Sequence, residues 1–510
     1  MSKVLARVNE YLRSNKFYRL ILIVFVLEAS WIALSAKYPQ AFDENFHFGL
    51  IKVYAHYWLP FLTTQPPHAD AYGAVARDPS YLYHYLMSFP YRLINLFVKG
   101  QTAQVIFLRF INIGLFAYGL VLFRKILLKV GTSKALTNLI LTLFIFIPIV
   151  PQLAGQISYD NLLFPLTAAM ILFGFKVMDE IKSRRASILS IALFLGSGLL
   201  VSLVKYAFLP IFAGLIIFLM GVAYYYNRPK LKNFFSQLVK NWHQQSNLAK
   251  LGLVLAFMVP LGMFCERDLV NLVAYHSIEP NCSEVLSVKS CMAYSPWAYN
   301  YKKHAELIAK GGSSILGNPI IYPFQWLYWM WYRLFFAVNG PKSHFKNYPP
   351  LPLPSAAALV LIIGGVAALI RWRRKLFKGN LRLKLLLTVT GAYLIALMGQ
   401  GYYTYQYTDV LENMNGRYLI PIMLFGAVIC AQAISLTLRR QQNRKIVLAV
   451  VAMLLFLEGG GVFTFIMRSN ASWDFNNKSV VTINNNARKV VKHVVVSSSK
   501  SYSSKLWFFN

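Results

Sequence analysis

Long apolar segments separated by shorter polar connections recur along almost the whole chain. A helix needs about 20 predominantly apolar residues to cross a bilayer core that is roughly 30 Å thick. Segments that come within a few residues of this length are 18–36, 103–123, 135–151, 160–178, 187–204, 206–226, 250–265, 354–370, 385–402, 417–437 and 446–466. The pattern therefore predicts an all-α integral membrane protein, a polytopic bundle of about 11 transmembrane helices.

Two connections, residues 37–102 and 266–353, are too long to be simple turns. The first contains stretches 46–62 and 81–97, which mix apolar residues with Tyr, His and Trp and predict helices lying in the membrane interface. The second contains the aromatic segment 322–333. Its favoured interpretation is an interfacial anchor, and a wall that stacks on sugar rings is the alternative. The predicted organisation is a membrane domain, 1–466, followed by a tail, 467–510.

Composition agrees with this class of protein. The chain has 510 residues, of which 57% are hydrophobic and 14% charged, with a mean hydropathy of +0.47. Soluble domains have roughly 45–50% apolar and 25% charged residues, so an ordinary soluble enzyme is excluded. The net charge is +34. Because the basic residues form short clusters between apolar segments rather than one patch, no nucleic-acid partner is predicted.

The basic clusters predict the orientation. They occupy alternate connections, at residues 3–19, 124–134, 182–185, 228–250, 371–384 and 439–445. By the positive-inside rule these connections and the N-terminus are cytoplasmic, so the two long loops and the tail are external. The first apolar segment follows a basic leader but is long enough to span, which favours a retained anchor over a cleaved signal peptide.

The four cysteines lack the spacing of a metal site. Cys282 and Cys291, nine residues apart in the second long loop, would pair if that loop faces an oxidising compartment. Two free thiols are the alternative, since the sequence does not give their Cα separation.

The strongest local signal follows the first apolar segment, where Asp43 and Glu44 are adjacent and His47 comes four residues after Asp43. Residues i and i+4 lie on one face of a helix, so these groups would share one end of an interfacial helix. Asp43 has a second interpretation as the N-cap of that helix. Either role places its carboxylate at the membrane surface.

A second acid, Asp160, opens the fourth apolar segment on the same predicted side as Asp43. Helix capping and a functional role carry equal weight for an acid at this position. Because Asp160 and Asp43 are predicted to lie on the same side of the membrane and at the same depth, the functional role is favoured for Asp160.

Two basic residues lie on the side that the positive-inside rule leaves poor in them. Arg417, followed by Tyr418, begins the tenth apolar segment, where free backbone N–H groups already favour an anion. Lys205 lies in the tight turn between the fifth and sixth segments. An ion pair with one of the acids is the structural alternative for both, but ionisable groups at membrane depth are functional candidates.

These residue types together favour sugar transfer from a lipid-phosphate donor. An acid on the outer face can deprotonate an acceptor hydroxyl. Cations beside it can hold a phosphate leaving group whose lipid tail stays in the bilayer.

The layout resembles the GT-C superfamily of polyprenyl-phosphate-sugar-dependent glycosyltransferases. The resemblance covers about the first 210 residues and rests on Asp43-Glu44 after the first segment, the interfacial stretches that follow, and Asp160 after the third. The Asp-Glu-x-x-His, Ser-Tyr-Asp and Gly-Arg-Tyr sequences are also similar to those of a bacterial family of uncharacterised GT-C-like membrane proteins. The implied location is the bacterial inner (plasma) membrane.

The resemblance implies an inverting hexosyl- or pentosyltransferase acting on the non-cytoplasmic face. Asp43 would be the catalytic base, with Glu44 beside it, and Lys205 and Arg417 would hold the donor phosphate. The residues expected to bind substrate are His47, Asp160, Lys205, Arg417 and Tyr418. The implied partners are a polyprenyl-phosphate sugar donor, membrane lipids, and a glycan, lipid or protein acceptor. The superfamily leaves open a divalent cation, Mg or Mn, which Asp43 and Asp160 would hold here.

Two other functions fit part of the pattern. A polysaccharide polymerase or ligase shares the compartment and the large loops, but often relies on arginines rather than on a carboxylate in the first loop. A lipid-linked glycan transporter would use intramembrane charges such as Glu28 and Glu458, the latter followed by three glycines. Transporters usually have repeated halves, and no repeat is visible in this sequence.

Overall fold

The computed structural model describes residues 2–183, 187–228, 231–311, 319–335, 338–340, 347–348, 351–411 and 414–499. The predicted basic residues at 184, 185 and 230, and the tail from residue 500, lie outside these ranges. Helices dominate the described ranges, accompanied by two short antiparallel strands, β1 (Val338–Asn339) and β2 (Asn347–Tyr348).

The helices follow one another with short connections except in the two long loops. The first ten are α1 (Ser2–Arg13), α2 (Asn15–Ser35), α3 (Glu44–Tyr54), α4 (Leu82–Phe97), α5 (Gln101–Lys129), α6 (Lys134–Ile145), α7 (Ile149–Ala154), α8 (Asp160–Lys182), α9 (Ile188–Val204) and α10 (Leu209–Asn227). The others are α11 (Leu231–Gln244), α12 (Asn247–Phe264), α13 (Val270–Tyr275), α14 (Cys282–Val285), α15 (Val288–Cys291), α16 (Ser295–Ala309), α17 (Ile321–Leu334), α18 (Pro352–Phe377), α19 (Leu381–Thr408), α20 (Ile420–Thr437), α21 (Gln442–Leu457), α22 (Val462–Arg468) and α23 (Lys478–Ser499).

Within the described ranges, nine helical segments are long and apolar enough to cross a membrane. They are Asn15–Ser35, Gln101–Lys129, Asp160–Lys182, Tyr206–Tyr226, Asn247–Tyr275, Pro352–Phe377, Leu381–Thr408, Gly416–Thr437 and Gln442–Arg468. The prediction of an all-α integral membrane protein is confirmed at this level.

The other two predicted spans are helical but shorter. The helix α6 has 12 residues and ends at Ile145, before the end of its predicted segment, 135–151. The helix α9 has 17 residues and agrees with its predicted segment, 187–204, to within one residue. Pro148 and Pro151 follow α6 closely, and proline interrupts a helix because it lacks a backbone N–H. By length and composition, nine helical segments of the described chain qualify as spans, and the count of about eleven stays a prediction.

The interior is built around stacked aromatic rings between α5, α6 and α8. The Phe164 ring of α8 lies 4.3 Å from the rings of both Phe116 and Phe123 of α5. Gly119 lies directly against the same Phe164 ring, where a larger side chain would not fit. Small residues allow membrane helices to approach closely in this way.

The bundle has two chemically different ends. At the first end Arg382 contacts the Asp179 carboxylate and the Lys129 carbonyl oxygen, both at 2.6 Å. We call this the basic end, because the basic connections after α5 and α18 meet there. The opposite end, at which α8 begins with Asp160, is called the site end.

Helix covers the second predicted stretch, 81–97, almost completely, but it covers the first, 46–62, only as far as Tyr54. The first loop carries α3 and α4, and α17 coincides with the aromatic segment. One face of α17 is buried through Tyr322, Trp326 and Met330, while Phe324 and Leu327 are exposed. This division into a packed face and an open apolar face is that of an interfacial helix.

Parts of the second loop and of the tail that the structure describes also lie at the site end. Cys282 and Cys291 form a disulfide with a Cα separation of 5.8 Å, which decides between the two interpretations of these cysteines. The tail helix α23 is held by Arg488, which pairs with the buried Asp474 at 2.6 Å. The Lys37 backbone N–H donates to the Trp473 carbonyl at 2.7 Å, so the tail packs against the start of the first loop.

Candidate functional site

Arg417 lies at the centre of the site end and contacts both predicted acids. Its Nη2 atom donates to Asp43 Oδ2 at 2.8 Å, and its Nη1 atom donates to the Phe42 carbonyl at 2.7 Å. Its Nε atom lies 4.0 Å from Asp160 Oδ2. Residues that are far apart in the sequence therefore form one charge cluster.

Lys205 completes this cluster from the end of α9. Its Nζ atom lies 3.6 Å from Asp160 Oδ1, which is longer than a hydrogen bond. The Tyr159 and Tyr418 rings flank the ammonium, with centroids 5.0 and 4.4 Å from Nζ. Such cation–π contacts position the charge without using its hydrogen-bond donors.

The backbone that places Asp43 in the cluster has an unusual conformation. Phe42 and Asp43 both have φ of 65°, a left-handed conformation that is uncommon for residues other than glycine. Asp43 is the N-cap residue of α3, as its second interpretation has it, but its side chain makes no capping hydrogen bond. The two hydrogen bonds from Arg417 hold this strained turn and turn the carboxylate toward the cluster. Strained backbone of this kind often occurs at functional sites.

The Arg417 turn depends on a close approach by α17. Gly416 packs against the backbone of Leu334, where an added Cβ would lie 2.5 Å from the Leu334 Cα. The Arg333 Nη1 atom donates to the Met414 carbonyl at 3.2 Å and ties the same two segments together. The aromatic helix thus supports the site from behind.

Replacing Gly416 by Ala is expected to displace Arg417. The added methyl group must push α17 away, and overpacking of this kind costs about 1–3 kcal/mol. We expect a lower Tm in detergent and weaker phosphate-ligand binding. Gly426→Ala on α20 is the matched control, because a methyl group added there would meet no neighbouring atom within 4 Å. Equal Tm and binding for both variants would contradict this assignment.

The buried charges of the cluster have unused hydrogen-bonding capacity. Among the described residues, no hydrogen-bond partner reaches Lys205 Nζ, Arg417 Nε or either carboxylate oxygen of Asp160. Burial lowers the pKa of Lys205, the Asp160 carboxylate raises it, and Arg417 lowers it. Donors without partners in a partly dehydrated site are suited to binding an anion with directional oxygens, such as a phosphate.

Glu44 points away from this cluster. Its carboxylate is fully buried and pairs with Arg109, which donates from Nε and Nη2 at 2.8 and 2.7 Å. It also accepts from the backbone N–H groups of Gln40 at 2.7 Å and Ile157 at 3.1 Å. Because these four donors occupy the carboxylate, the geometry favours a structural role over the catalytic role predicted for Glu44.

His47 lies behind the site in a buried histidine pair. Its Nδ1 atom lies 2.9 Å from His84 Nε2, and its ring meets the Tyr159 ring edge-on at 4.8 Å. Burial lowers the pKa of His47 well below its usual value, and the charges of His84, Arg417 and Lys205 lower it further. His47 therefore stays neutral and supports Tyr159, whereas the sequence predicted direct contact with substrate.

The histidine pair predicts a specific loss of stability in acid. Burial lowers the pKa of His84 to about 3, while an unfolded histidine titrates near 6.5. Between these values the unfolded chain binds a proton that the folded chain does not, so stability falls as the pH falls below about 6.5. The free energy of unfolding falls by about 1.4 kcal/mol per pH unit for each such histidine.

His84→Gln is expected to reduce the slope of Tm against pH between about 6.5 and 4. The measurement is thermal unfolding in detergent over that range. His56→Gln, at an exposed position, is the control and should keep the wild-type slope. A wild-type slope in His84→Gln would contradict the account.

The residues present do not fit the divalent cation that the resemblance left open. The Arg417 guanidinium lies between Asp43 and Asp160, and Lys205 lies on the other oxygen of Asp160. A metal ion bound by these carboxylates would lie against two fixed positive charges. Across the described ranges there is also no cluster of three or more His, Cys, Asp or Glu residues able to hold a metal.

Two important residues were not singled out in the sequence. Arg109 lies inside a predicted span, and a charged residue there is itself a signal of a buried partner. Tyr159 precedes Asp160 in the sequence, but no sequence pattern marked it as a residue of the site. The sequence also could not show that Asn161 and Tyr83 both hydrogen bond to Asn112, at 3.0 and 2.9 Å, fixing the turn before α8.

Comparison with known proteins does not assign the chain to a family. No protein-family model matches it, and no curated protein matches it.

Proposed function

We propose that this protein is a membrane glycosyltransferase of the GT-C type that transfers a sugar, with inversion, from a polyprenyl-phosphate donor to an acceptor. The observation that carries this proposal is the cluster of Asp43, Asp160, Lys205 and Arg417. It combines a solvent-accessible carboxylate, 41% exposed, with two buried cations that have donors without partners. A base beside an anion-binding group is what this transfer requires.

Chain connectivity supports eleven membrane crossings. Asp160 starts α8 and Lys205 follows α9 directly, and their side chains lie 3.6 Å apart. The α9 helix therefore returns the chain to the end at which α8 began. In the same way, α6 and α7 lead from Thr132, which contacts Gln432 at 2.8 Å, to Ile157 at the site end. These two returns add the two shorter segments to the nine long ones.

The distribution of charge supports an orientation. We infer that the basic end is cytoplasmic, following the positive-inside rule. The site end, both long loops and the tail then face outward. The Cys282–Cys291 disulfide at the site end agrees, because disulfides persist in oxidising compartments. A bacterial plasma membrane, with polyprenyl-phosphate sugars supplied on its outer face, is the proposed setting.

The donor phosphate would bind between Lys205 and Arg417. Both cations lie beside the start of a membrane span, so a lipid tail can stay in the bilayer while its phosphate reaches them. Two cations face two carboxylates in the cluster, so the site holds no net charge. The phosphate must therefore be held by directional N–H donors more than by long-range attraction.

The reaction would then proceed by direct displacement. Asp43 accepts the proton of the acceptor hydroxyl as that oxygen bonds to the anomeric carbon of the sugar. The bond from this carbon to the phosphate oxygen breaks, and polyprenyl phosphate leaves with the electron pair. Lys205 and Arg417 stabilise the negative charge that grows on the leaving phosphate. Holding the two reactants in line would supply much of the acceleration.

The test is a turnover assay with purified protein in liposomes. A panel of polyprenyl-phosphate sugars, each radiolabelled in the sugar, is supplied with cell-envelope extract as the acceptor source. We expect one donor to lose its label and release polyprenyl phosphate. Movement of intact donor between leaflets without release would instead favour the transporter. Use of oligosaccharide donors alone would favour the polymerase.

A further inference from the structure

A second group of polar and aromatic side chains continues the charge cluster toward the disulfide loop. Tyr206 directly follows Lys205, and its backbone N–H donates to Ser80 Oγ at 3.2 Å. Its hydroxyl accepts from Gln400 Nε2 at 3.2 Å and is within electrostatic reach of the Glu279 carboxylate. This network lies one residue from the cation proposed to hold the donor phosphate.

Tyr294 joins this network to the charge cluster. Its ring packs against the Phe46 ring, with centroids 5.9 Å apart. Burial raises the pKa of Tyr294, and the carboxylates of Asp78, Glu279 and Asp43 raise it further. The same hydroxyl is therefore within electrostatic reach of both the proposed base and the Glu279 network.

The disulfide loop fixes both Glu279 and Tyr294. These residues lie just outside Cys282 and Cys291, so the disulfide between them limits how far the two can separate. Asn271 Nδ2 anchors the segment by donating to the Ile278 and Arg77 carbonyls at 2.9 and 2.8 Å. A rigid support is what a specific binding site requires.

We propose that Tyr206, Glu279 and Tyr294 form the subsite that binds the sugar of the lipid-phosphate sugar. This inference rests on the proposed function. A carboxylate accepts hydrogen bonds from sugar hydroxyls, and these charge-assisted bonds are strong. The Tyr294 and Phe46 rings offer an apolar surface for the C–H face of the sugar ring. A sugar bonded to a phosphate at Lys205 is within reach of the adjacent Tyr206.

The chemistry of Glu279 suits this role. Crowding by protein atoms raises the pKa of the Glu279 carboxylate to about 7, although part of the residue is exposed. The residue is exposed, so its carboxylate can accept a hydrogen bond from an incoming hydroxyl, whereas its negative charge repels a second anion. The subsite therefore favours a neutral, hydroxyl-rich group over a second anion.

The experiment compares ligands with and without the sugar. Full-length protein in nanodiscs is titrated with farnesyl phosphate and with its glucosyl, galactosyl, mannosyl and arabinosyl derivatives. We expect at least one sugar-bearing ligand to bind about tenfold more tightly than farnesyl phosphate, as one charge-assisted hydrogen bond implies. Glu279→Gln and Tyr206→Phe should each remove that gain and leave the Kd of farnesyl phosphate unchanged.

A matched control comes from the same loop. Glu284→Gln removes a carboxylate that caps α14 through the Asn281 backbone N–H, and glutamine can replace it in that role. This variant should keep the sugar-dependent gain. No gain for any of the four sugars, or a gain that survives Glu279→Gln, would overturn the subsite alone. Failure of every ligand to bind wild-type protein would overturn the proposed function as well.

Discussion

Replacing Asp43 by Asn is expected to abolish most sugar transfer while leaving the protein folded. Asparagine keeps the shape of the side chain but cannot accept the acceptor proton, and loss of a general base typically lowers the rate about 10²–10⁴-fold. Asp43 is substantially exposed, so its ion pair with Arg417 contributes little to stability. The measurement is turnover with the donor identified from the panel, alongside Tm in detergent.

The result separates catalysis from positioning. If Asp43 acts as the base, Asp43→Asn should bind farnesyl phosphate at least as tightly as wild-type protein, because Arg417 loses a competing carboxylate. Asp70→Asn, in the same loop, should retain wild-type turnover. Turnover near the wild-type rate in Asp43→Asn would refute the catalytic assignment.

Glu44→Gln is expected to cause the largest loss of stability. The Glu44 and Arg109 side chains are both fully buried, and removing one charge leaves the other without compensation. Breaking a buried pair in this way costs about 3–5 kcal/mol. The measurement is the free energy of unfolding, or Tm where unfolding is irreversible, in a single detergent.

Asp179→Asn is the matched control for a broken ion pair. Asp179 also pairs with an arginine, Arg382, at 2.6 Å, but both side chains are partly exposed. Removing this ion pair should lower the free energy of unfolding by less than about 1 kcal/mol. Equal destabilisation by Glu44→Gln and Asp179→Asn would show that burial does not set the strength of the Glu44 pair.

Packing explains the position of Glu28, an acidic residue within a predicted span. Its carboxylate lies against Gly461, and it accepts a hydrogen bond from the Val462 backbone N–H. Gly461 has φ of 59°, and its own N–H donates to the Phe146 carbonyl at 2.8 Å. The absence of a side chain at Gly461 thus leaves space for the buried Glu28 carboxylate. This contact provides a structural explanation for a charge that also fits a transporter.

The sequence predicted the members of the charge cluster from sidedness. Asp43, Asp160, Lys205 and Arg417 each follow or begin an apolar segment on the same predicted side of the membrane. Residues at the ends of spans on one side of the membrane lie at a similar depth, so their side chains are expected to be close together. Contact between particular residues, such as Arg417 with Asp43, depends on the packing of helices and could not be predicted from one sequence.

Other features depended on local geometry. Adjacent residues at a helix start point in different directions, so Glu44 faces the buried Arg109 while Asp43 faces the cluster. Each of the eleven predicted apolar segments contains helix, and the ends of α9 agree with its predicted segment to within one residue. The pattern extended α6 beyond Ile145, because it did not take into account Pro148 and Pro151, which follow that end.

Photocrosslinking can show where a lipid phosphate binds on this protein. Wild-type protein in nanodiscs is irradiated with a farnesyl phosphate that carries a photoreactive group next to the phosphate, and labelled peptides are identified by mass spectrometry. If the lipid phosphate binds at the charge cluster, labels should appear near Tyr159, Lys205 and Tyr418 and be lost when unlabelled farnesyl phosphate competes. Labelling confined to the basic end, or labelling that competitor does not reduce, would contradict a lipid-phosphate site at this cluster.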